Sequence, residues 1–181
     1  RAAREQLALG DRYLEELDYE NAILAYTRAI EADPRNAQAY YGLGVANAAN
    51  QSPENAEAAF LQSLSLDPTG VDAYLSLADL YLQNDRLEDA ADLLDKAINQ
   101  TDNDEIKDLY TQTQPQAPTF SLESGSYSTY QLVEILSDSG DTIYYTLDGS
   151  EPNTESQVYT DALVLPSGKT SIRAMAVNSL G

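Results

Sequence analysis

From Gln6 onward, apolar side chains recur every three or four positions, the spacing of one buried face on a helix. The rhythm is interrupted by proline or by polar clusters, and then it repeats. Leu9, Leu43 and Leu77 lie 34 residues apart, as do the small residues Gly10, Gly44 and Ala78. A second small series, Ala22, Ala56 and Ala90, keeps the same step, as do bulky Tyr26, Phe60 and Leu94. Tyr13, Asn47 and Tyr81 follow with one polar member, and Pro34 and Pro68 close the first two units where Asp102 stands in the third. Self-similarity at this period marks an array of small helical units that bury their apolar faces only by stacking.

Each unit reads as two amphipathic helices, the first over Gln6 to about Leu17 and the second over Tyr19 to about Ala32 in the opening copy. The stretches LDYENA, QSPENA and DRLEDA supply the turn and a cap for the second helix. Pro53 suits a first helical turn, where a missing N–H costs nothing. Pro34 and Pro68 end their units because the residue before proline is driven out of the helical region. Small residues at 10, 44, 78 and at 22, 56, 90 let paired helices approach, and Leu and Tyr fill the layer between them. Residues 105–114, EIKDLYTQTQ, start a fourth unit and lose its register, with Thr111 and Gln112 where Leu and a small residue belong. Ile106, Leu109 and Tyr110 still form one stripe, which predicts a capping helix over the open end of the third unit.

The motif L-G-x-x-Y…A-x-x-x-[YF]…P at constant period resembles the tetratricopeptide repeat, with copies at 3–36, 37–70 and 71–104. The departures are Gln6 for the leading aromatic of the first copy and Asp102 for the last closing proline. The resemblance implies an all-α superhelix of helix-turn-helix repeats whose concave face is lined by the first helix of each pair. That face would carry Leu7, Asp11, Leu14 and Glu15, then Tyr41, Val45 and Ala48, then Asp72, Leu75, Asp79 and Leu82, with Arg4 and Gln38 also at helix starts. These are the candidate protein-binding residues. Repeat proteins that grip a C-terminal carboxylate place Lys, Arg and Asn on this face, whereas Asp11, Val45 and Asp79 stand here, so that mode is not expected. An apolar stripe with acidic flanks is left. The plainer reading is that these side chains only pack between neighbouring helices.

Past the helical region the pattern changes. QTQPQAPTF (112–120) carries two prolines and no charge, a short semi-stiff connector with its linker at 115–118. Beyond it Ser, Thr, Tyr, Val and Ile dominate, and strands are predicted at 118–122, 130–137, 141–147, 157–165 with a break, and 169–178. In QLVEIL, Leu132, Glu134 and Leu136 alternate with Gln131, Val133 and Ile135. IYYTLDGSEP reads as a strand running into a tight Asp148-Gly149 turn, a hairpin signal. Short strands separated by turn signals indicate an all-β sandwich over 119–181.

Several residues here resemble the immunoglobulin-like, fibronectin-III-associated module at the C-terminus of chitobiase and β-hexosaminidase enzymes. They are Ala117-Pro118 with Phe120, Ser124-Gly125 with Tyr127, Val133 with Ile135, Ile143 to Thr146, Asp148 to Ser150, Pro152, Tyr159 and the closing SIRAMAVNSLG. Such modules continue past the point where this sequence stops, so the β domain is expected to be truncated and to lack a last edge strand. In those enzymes the module is accessory to a catalytic barrel that is absent from this chain.

The chain has 181 residues and a net charge of −20, with 30 acidic against 10 basic residues. Phosphate backbones and anionic membrane surfaces need clustered cations, so nucleic acid is excluded as a partner. No apolar run reaches the roughly 20 residues of a membrane-spanning helix. The opening RAAREQLALGDRY is already helical in rhythm and reads as the start of a fragment, so the missing leader says nothing of compartment. With no cysteine and no histidine, disulfides, Cys/His zinc sites, thiol nucleophiles and imidazole-based triads are excluded. Asp148, Glu151, Glu155 and Asp161 show no pairing across a cleft of the kind glycoside hydrolysis needs. DNDE (102–105) and SDSGD (137–141) lack the spacing of a calcium loop and read as caps and turns.

No cofactor is implied and no catalytic or metal-binding residue is assigned. The composite reading is a non-enzymatic scaffold of a bacterial cell surface or envelope. It would bind an apolar, basic peptide or protein segment in the repeat groove, with the β domain as spacer or adhesion unit. The rival is a carbohydrate-binding accessory fragment of a larger glycan-active protein, with cell-wall glycan as partner and Tyr127, Tyr130, Tyr144, Tyr145 and Tyr159 as stacking faces.

Overall fold

The structure, a computed structural model, describes residues 1–138 and 140–178 and divides into two units, Arg1–Thr113 and Gln114–Gly181. Ser139 of the SDSGD cluster and the closing Ser179, Leu180 and Gly181 lie outside the described residues. The first unit is a run of helices: α1 (Ala2–Glu15), α2 (Tyr19–Ala32), α3 (Ala37–Ala49), α4 (Pro53–Leu66), α5 (Val71–Gln83), α6 (Leu87–Thr101) and α7 (Asp104–Thr113). Helix α1 begins ahead of the Gln6 start that periodicity predicts. Ala2, Ala3 and Arg4 are strong helix formers, and Arg1 meets Glu5 at 2.9 Å one turn on.

Each first helix closes the same way. Asp18, Ser52 and Arg86 donate their backbone N–H to the carbonyls of Tyr13, Asn47 and Tyr81 at 2.8, 2.9 and 2.9 Å. The residue before each donor, Leu17, Gln51 or Asp85, is left-handed at φ 58, 59 and 56°. This is a Schellman closure repeated at the 34-residue period, built without the glycine that usually occupies the left-handed position. The predicted side-chain cap on the second helix holds in one unit alone. Asp18 accepts from the Asn21 amide at 3.3 Å, whereas Ser52 and Arg86 make no such bond.

Small and large residues alternate through the core. Tyr26 and Phe60 are each 1% exposed, and Ala22, Ala56 and Ala90 are fully buried. A Cβ built on Gly10 would stand 2.7 Å from the Tyr26 ring and one on Gly44 2.6 Å from the Phe60 ring, while Gly42 approaches Tyr26 more closely still. The third unit holds Ala78 and Leu94 at these positions, both in the same apolar cluster. A larger small residue thus accompanies a smaller large one. Ile106 of α7 is buried in that cluster, with Leu109 and Tyr110 packed on it. Gln6 occupies the register of Tyr40 and Tyr74, and its Oε1 is buried without a hydrogen-bond partner among the described residues.

A polar cluster ties the second repeat to the third. Arg86 reaches Glu57 at 2.6 Å and Asp89 at 2.6 Å, the Tyr81 hydroxyl donates to Glu57 at 2.9 Å, and the guanidinium sits 4.4 Å from the Tyr81 ring centre. Burial, then the Glu57 bond, pushes the Tyr81 hydroxyl up to about 12. The Arg86 hydrogen bond, ahead of the Tyr81 one, holds the Glu57 carboxyl below its ordinary 4.5. A carboxylate depressed in the folded state contributes its full stability above the unfolded value, and loses it as pH falls through the folded value. Glu57→Gln is therefore expected to cost roughly 1 kcal/mol at neutral pH. The gap to wild type should close below pH 4.5, read from urea midpoints across pH. A gap that persists at acid pH would mean the carboxylate charge is not what acts.

The second unit is all-β: β1 (Thr119–Phe120), β2 (Leu132–Val133), β3 (Ile135–Leu136), β4 (Thr142–Thr146), β5 (Gln157–Val158), β6 (Leu163–Val164) and β7 (Arg173–Val177). Strand β1 pairs with β3, β2 pairs with β6, and β5, β4 and β7 form a three-stranded sheet in that order; each of these strand pairings is antiparallel. The predicted strand at 130–137 is divided at Glu134. Ser121 covers the break, accepting the Glu134 amide on Oγ at 2.8 Å and donating its own amide to the Glu134 carbonyl at 2.9 Å. Val133 and Ile135 are buried, and Leu132 and Leu136 are exposed, so the alternation in QLVEIL sorts core from surface.

Asp148-Gly149 does not close a two-residue hairpin. Strand β4 reaches β5 only after a loop spanning 147–156, with Tyr144 opposite Val158. Asp148 instead folds a local turn, its Oδ1 accepting from the Ser150 amide at 3.0 Å and hydroxyl at 2.5 Å, which holds its carboxyl below the usual range. Gly149 is left-handed at φ 82°, and a Cβ there would stand 3.0 Å from Ser171 Oγ. Gly149→Val is expected to cost about 1–2 kcal/mol in the β unit, seen as a lowered thermal midpoint. An unchanged midpoint would contradict this turn.

Candidate functional site

Helix α1 touches α3, α3 touches α5 and α5 touches α7, so the odd-numbered helices adjoin one another along the repeat unit. Their outward-facing side chains share one face, the concave one of a tetratricopeptide-type superhelix. A hydrogen bond spans it: the Tyr41 hydroxyl on α3 lies 3.4 Å from Ser76 Oγ on α5.

The sequence-predicted residues divide in two on this face. Leu7 and Leu14 are half-buried against the cluster around Tyr26. Tyr41, Val45, Ala48, Leu75 and Leu82 are half-buried against the larger cluster. These seven form a floor that is partly core. Tyr41 does not stand free, since its ring lies 5.9 Å from that of Phe60. Asp11, Glu15, Asp72 and Asp79 are exposed, as are Arg4 and Gln38 at the helix starts.

Asp11 accepts the Tyr26 hydroxyl at 2.8 Å. Burial, with that bond next, raises the Tyr26 hydroxyl far above its ordinary value. The side chains of Glu15, Asp72 and Asp79 take part in no ion pair or hydrogen bond among the described residues, although the chain pairs Glu5, Glu16, Glu57, Asp89, Asp102, Asp104 and Glu151 with cations elsewhere. The face is thus a half-buried apolar floor with unneutralised carboxylates at its edge. Ser76 and the Tyr26 hydroxyl escaped sequence reasoning. Ser76 shares its register with Ala8 and Gly42, a third recurring small position.

In the β unit, an open cleft of about 470 Å³ is lined by Tyr145, Asp148, Ser150, Glu155 and Gln157, among others. Tyr145 meets Tyr159 edge-on with ring centres 6.3 Å apart. Tyr130 is 83% exposed, and the Tyr127 hydroxyl is taken up by the Glu123 carbonyl at 2.8 Å. Among the described residues no group of three or more acidic, His or Cys side chains is arranged to hold a metal ion, and no helix is long and apolar enough to cross a membrane.

The Tetratricopeptide repeat family matches residues 7–71 and again residues 47–113, and the Chitobiase/beta-hexosaminidase C-terminal domain matches residues 122–181. Among solved structures, the TPR2B domain of yeast Sti1 in its pHsp70 complex is 28% identical at TM-score 0.57, over 62% of this chain and 95% of that one. The yeast Sti1 TPR2AB–pHSP90 complex is also 28% identical, at TM-score 0.56 over 62% of this chain and 46% of that one. The second TPR of Spaghetti (RPAP3), bound to HSP90 peptide SRMEEVD, is 26% identical at TM-score 0.52, over 55% of this chain and 93% of that one. An endoglucanase of Clostridium saccharobutylicum is 47% identical over 47 residues, 25% of this chain and 10% of the enzyme. The chain spans about a tenth of that curated relative.

Proposed function

Because residues 7–113 belong to the tetratricopeptide repeat family and residues 122–181 to the chitobiase/β-hexosaminidase C-terminal domain family, we propose that this chain is a non-enzymatic interaction scaffold. The repeat unit receives a peptide or protein segment of apolar and basic character, and the β unit acts as a spacer or adhesion module at a bacterial cell surface or envelope. The observation that carries the reading is the odd-helix face itself: an apolar floor bounded by Glu15, Asp72 and Asp79, none neutralised from within. Related repeat domains are seen with peptides, and the SRMEEVD of one of them is acidic. A face of this sign repels such a peptide and attracts lysine or arginine.

Association kinetics test this. A peptide of alternating lysine and leucine should bind faster at low salt than at moderate salt, because rim charges act mainly on encounter. Asp79→Lys should slow association and flatten the salt dependence. Rates that do not respond to the substitution at either salt would remove the acidic rim from the mechanism.

A second reading is favoured by the endoglucanase match and the family of the β unit: a carbohydrate-binding accessory piece of a larger glycan-active protein. Retention of the β unit on insoluble cellulose or chitin, lost on Tyr130→Ala or Tyr145→Ala, would favour it over the scaffold.

A further inference from the structure

One row of the concave face is graded in charge. Arg4, Gln38 and Asp72 stand at the same register, 34 residues apart, near the starts of α1, α3 and α5. All three are exposed. Among the described residues none of the three takes part in an ion pair or side-chain hydrogen bond, whereas Arg1, Arg12, Arg86 and Lys107 of the same unit are paired with carboxylates and Arg28, Arg35 and Lys96 are not. The three helices adjoin in that order. Charge along the row therefore runs from positive through neutral to negative across the stack, with the Tyr41–Ser76 contact between the second and third helices.

Such a row distinguishes the two ends of a ligand. A charge placed beside Arg4 and one placed beside Asp72 feel opposite local fields, and each is screened from the other over a distance comparable to the Debye length of about 8–10 Å. Asp79 on α5 reinforces the negative end. On α1 the Asp11 carboxylate is held by the Tyr26 hydroxyl, and Glu15 stands at the far end of the helix, about 16 Å along its axis from Arg4, which leaves Arg4 as the local charge where α1 begins.

Building on the proposed role of this face, we infer that it binds its segment in one orientation. A carboxylate side chain of the segment lies against Arg4, apolar side chains rest on the Tyr41 and Leu75 floor, and a lysine or arginine lies against Asp72 and Asp79. The partner is then a basic, apolar segment whose lysine or arginine side chains lie toward one end and whose other end presents a carboxylate.

The test uses the full chain and a synthetic peptide with lysines at one end, leucine and tyrosine in the middle and aspartates at the other. A nitroxide label is attached at the lysine end, and paramagnetic broadening of backbone amides is read by NMR. Broadening of α5 and α7 amides, moving to α1 in the Arg4→Glu/Asp72→Lys double variant, is the result expected. Binding with broadening at α1 in the wild-type chain, or spread equally along the stack, overturns the orientation and leaves peptide binding standing. Absence of binding overturns both. A double variant that still broadens α5 and α7 shows that the row does not set direction.

Discussion

Gly44→Ala is expected to destabilise the repeat unit by about 2 kcal/mol, although alanine is the better helix former. The new methyl would enter at 2.6 Å from the Phe60 ring. Phe60 is 1% exposed and its ring is backed by Tyr41, so it has no open side to move into. The third repeat indicates the remedy, since it carries Ala78 with Leu94. Phe60→Leu alone should also destabilise, by leaving a void beside Gly44. The double variant should recover much of the loss, giving a favourable coupling on the order of 1 kcal/mol in a urea-denaturation cycle. Strict additivity of the two substitutions would mean that the small and large positions are not a packing pair.

The second large effect is on binding. Asp72→Lys combined with Asp79→Lys should weaken a basic, apolar peptide roughly thirtyfold, since an attractive edge becomes a repulsive one. Both side chains are exposed and make no ion pair or hydrogen bond among the described residues, so folding stability should shift by no more than about 0.5 kcal/mol. The control is Asp92→Lys with Asp95→Lys, an equal change of net charge on exposed positions of α6, an even-numbered helix. If that pair weakens binding as much, the effect is long-range charge and not a rim.

Much of the helical unit is legible from repetition alone. Gly10, Gly44 and Ala78 opposite Tyr26, Phe60 and Leu94 state a packing rule within one chain. The Schellman closures are not legible. Leu17, Gln51 and Asp85 give no sign of a left-handed backbone, because the array imposes that conformation through the 13/47/81 carbonyls rather than through residue preference. The Asp148-Gly149 turn misleads for a related reason. The dipeptide reports a left-handed glycine, correctly, but not which strands the turn joins, since that depends on the pairing of β4 with β7 and β5.

At the candidate site, periodicity identifies which residues share a face. It does not separate floor from rim: Tyr41, Val45 and Leu75 are half-buried because they pack on the apolar cluster beneath them, and Asp72 and Asp79 stand clear of it. Nor does it indicate that Asp11 is held by a tyrosine hydroxyl from the following helix.

On the proposed reading this face accepts a cationic, apolar segment where a related repeat domain is seen with the acidic SRMEEVD. Calorimetric titration of the full chain with SRMEEVD and with SRMKKVK keeps Arg, Met and Val constant and inverts the remaining charge. Saturable binding of SRMKKVK that weakens with salt, with no measurable heat from SRMEEVD, is the predicted result. Tighter binding of SRMEEVD, or equal binding of the two, would contradict the account.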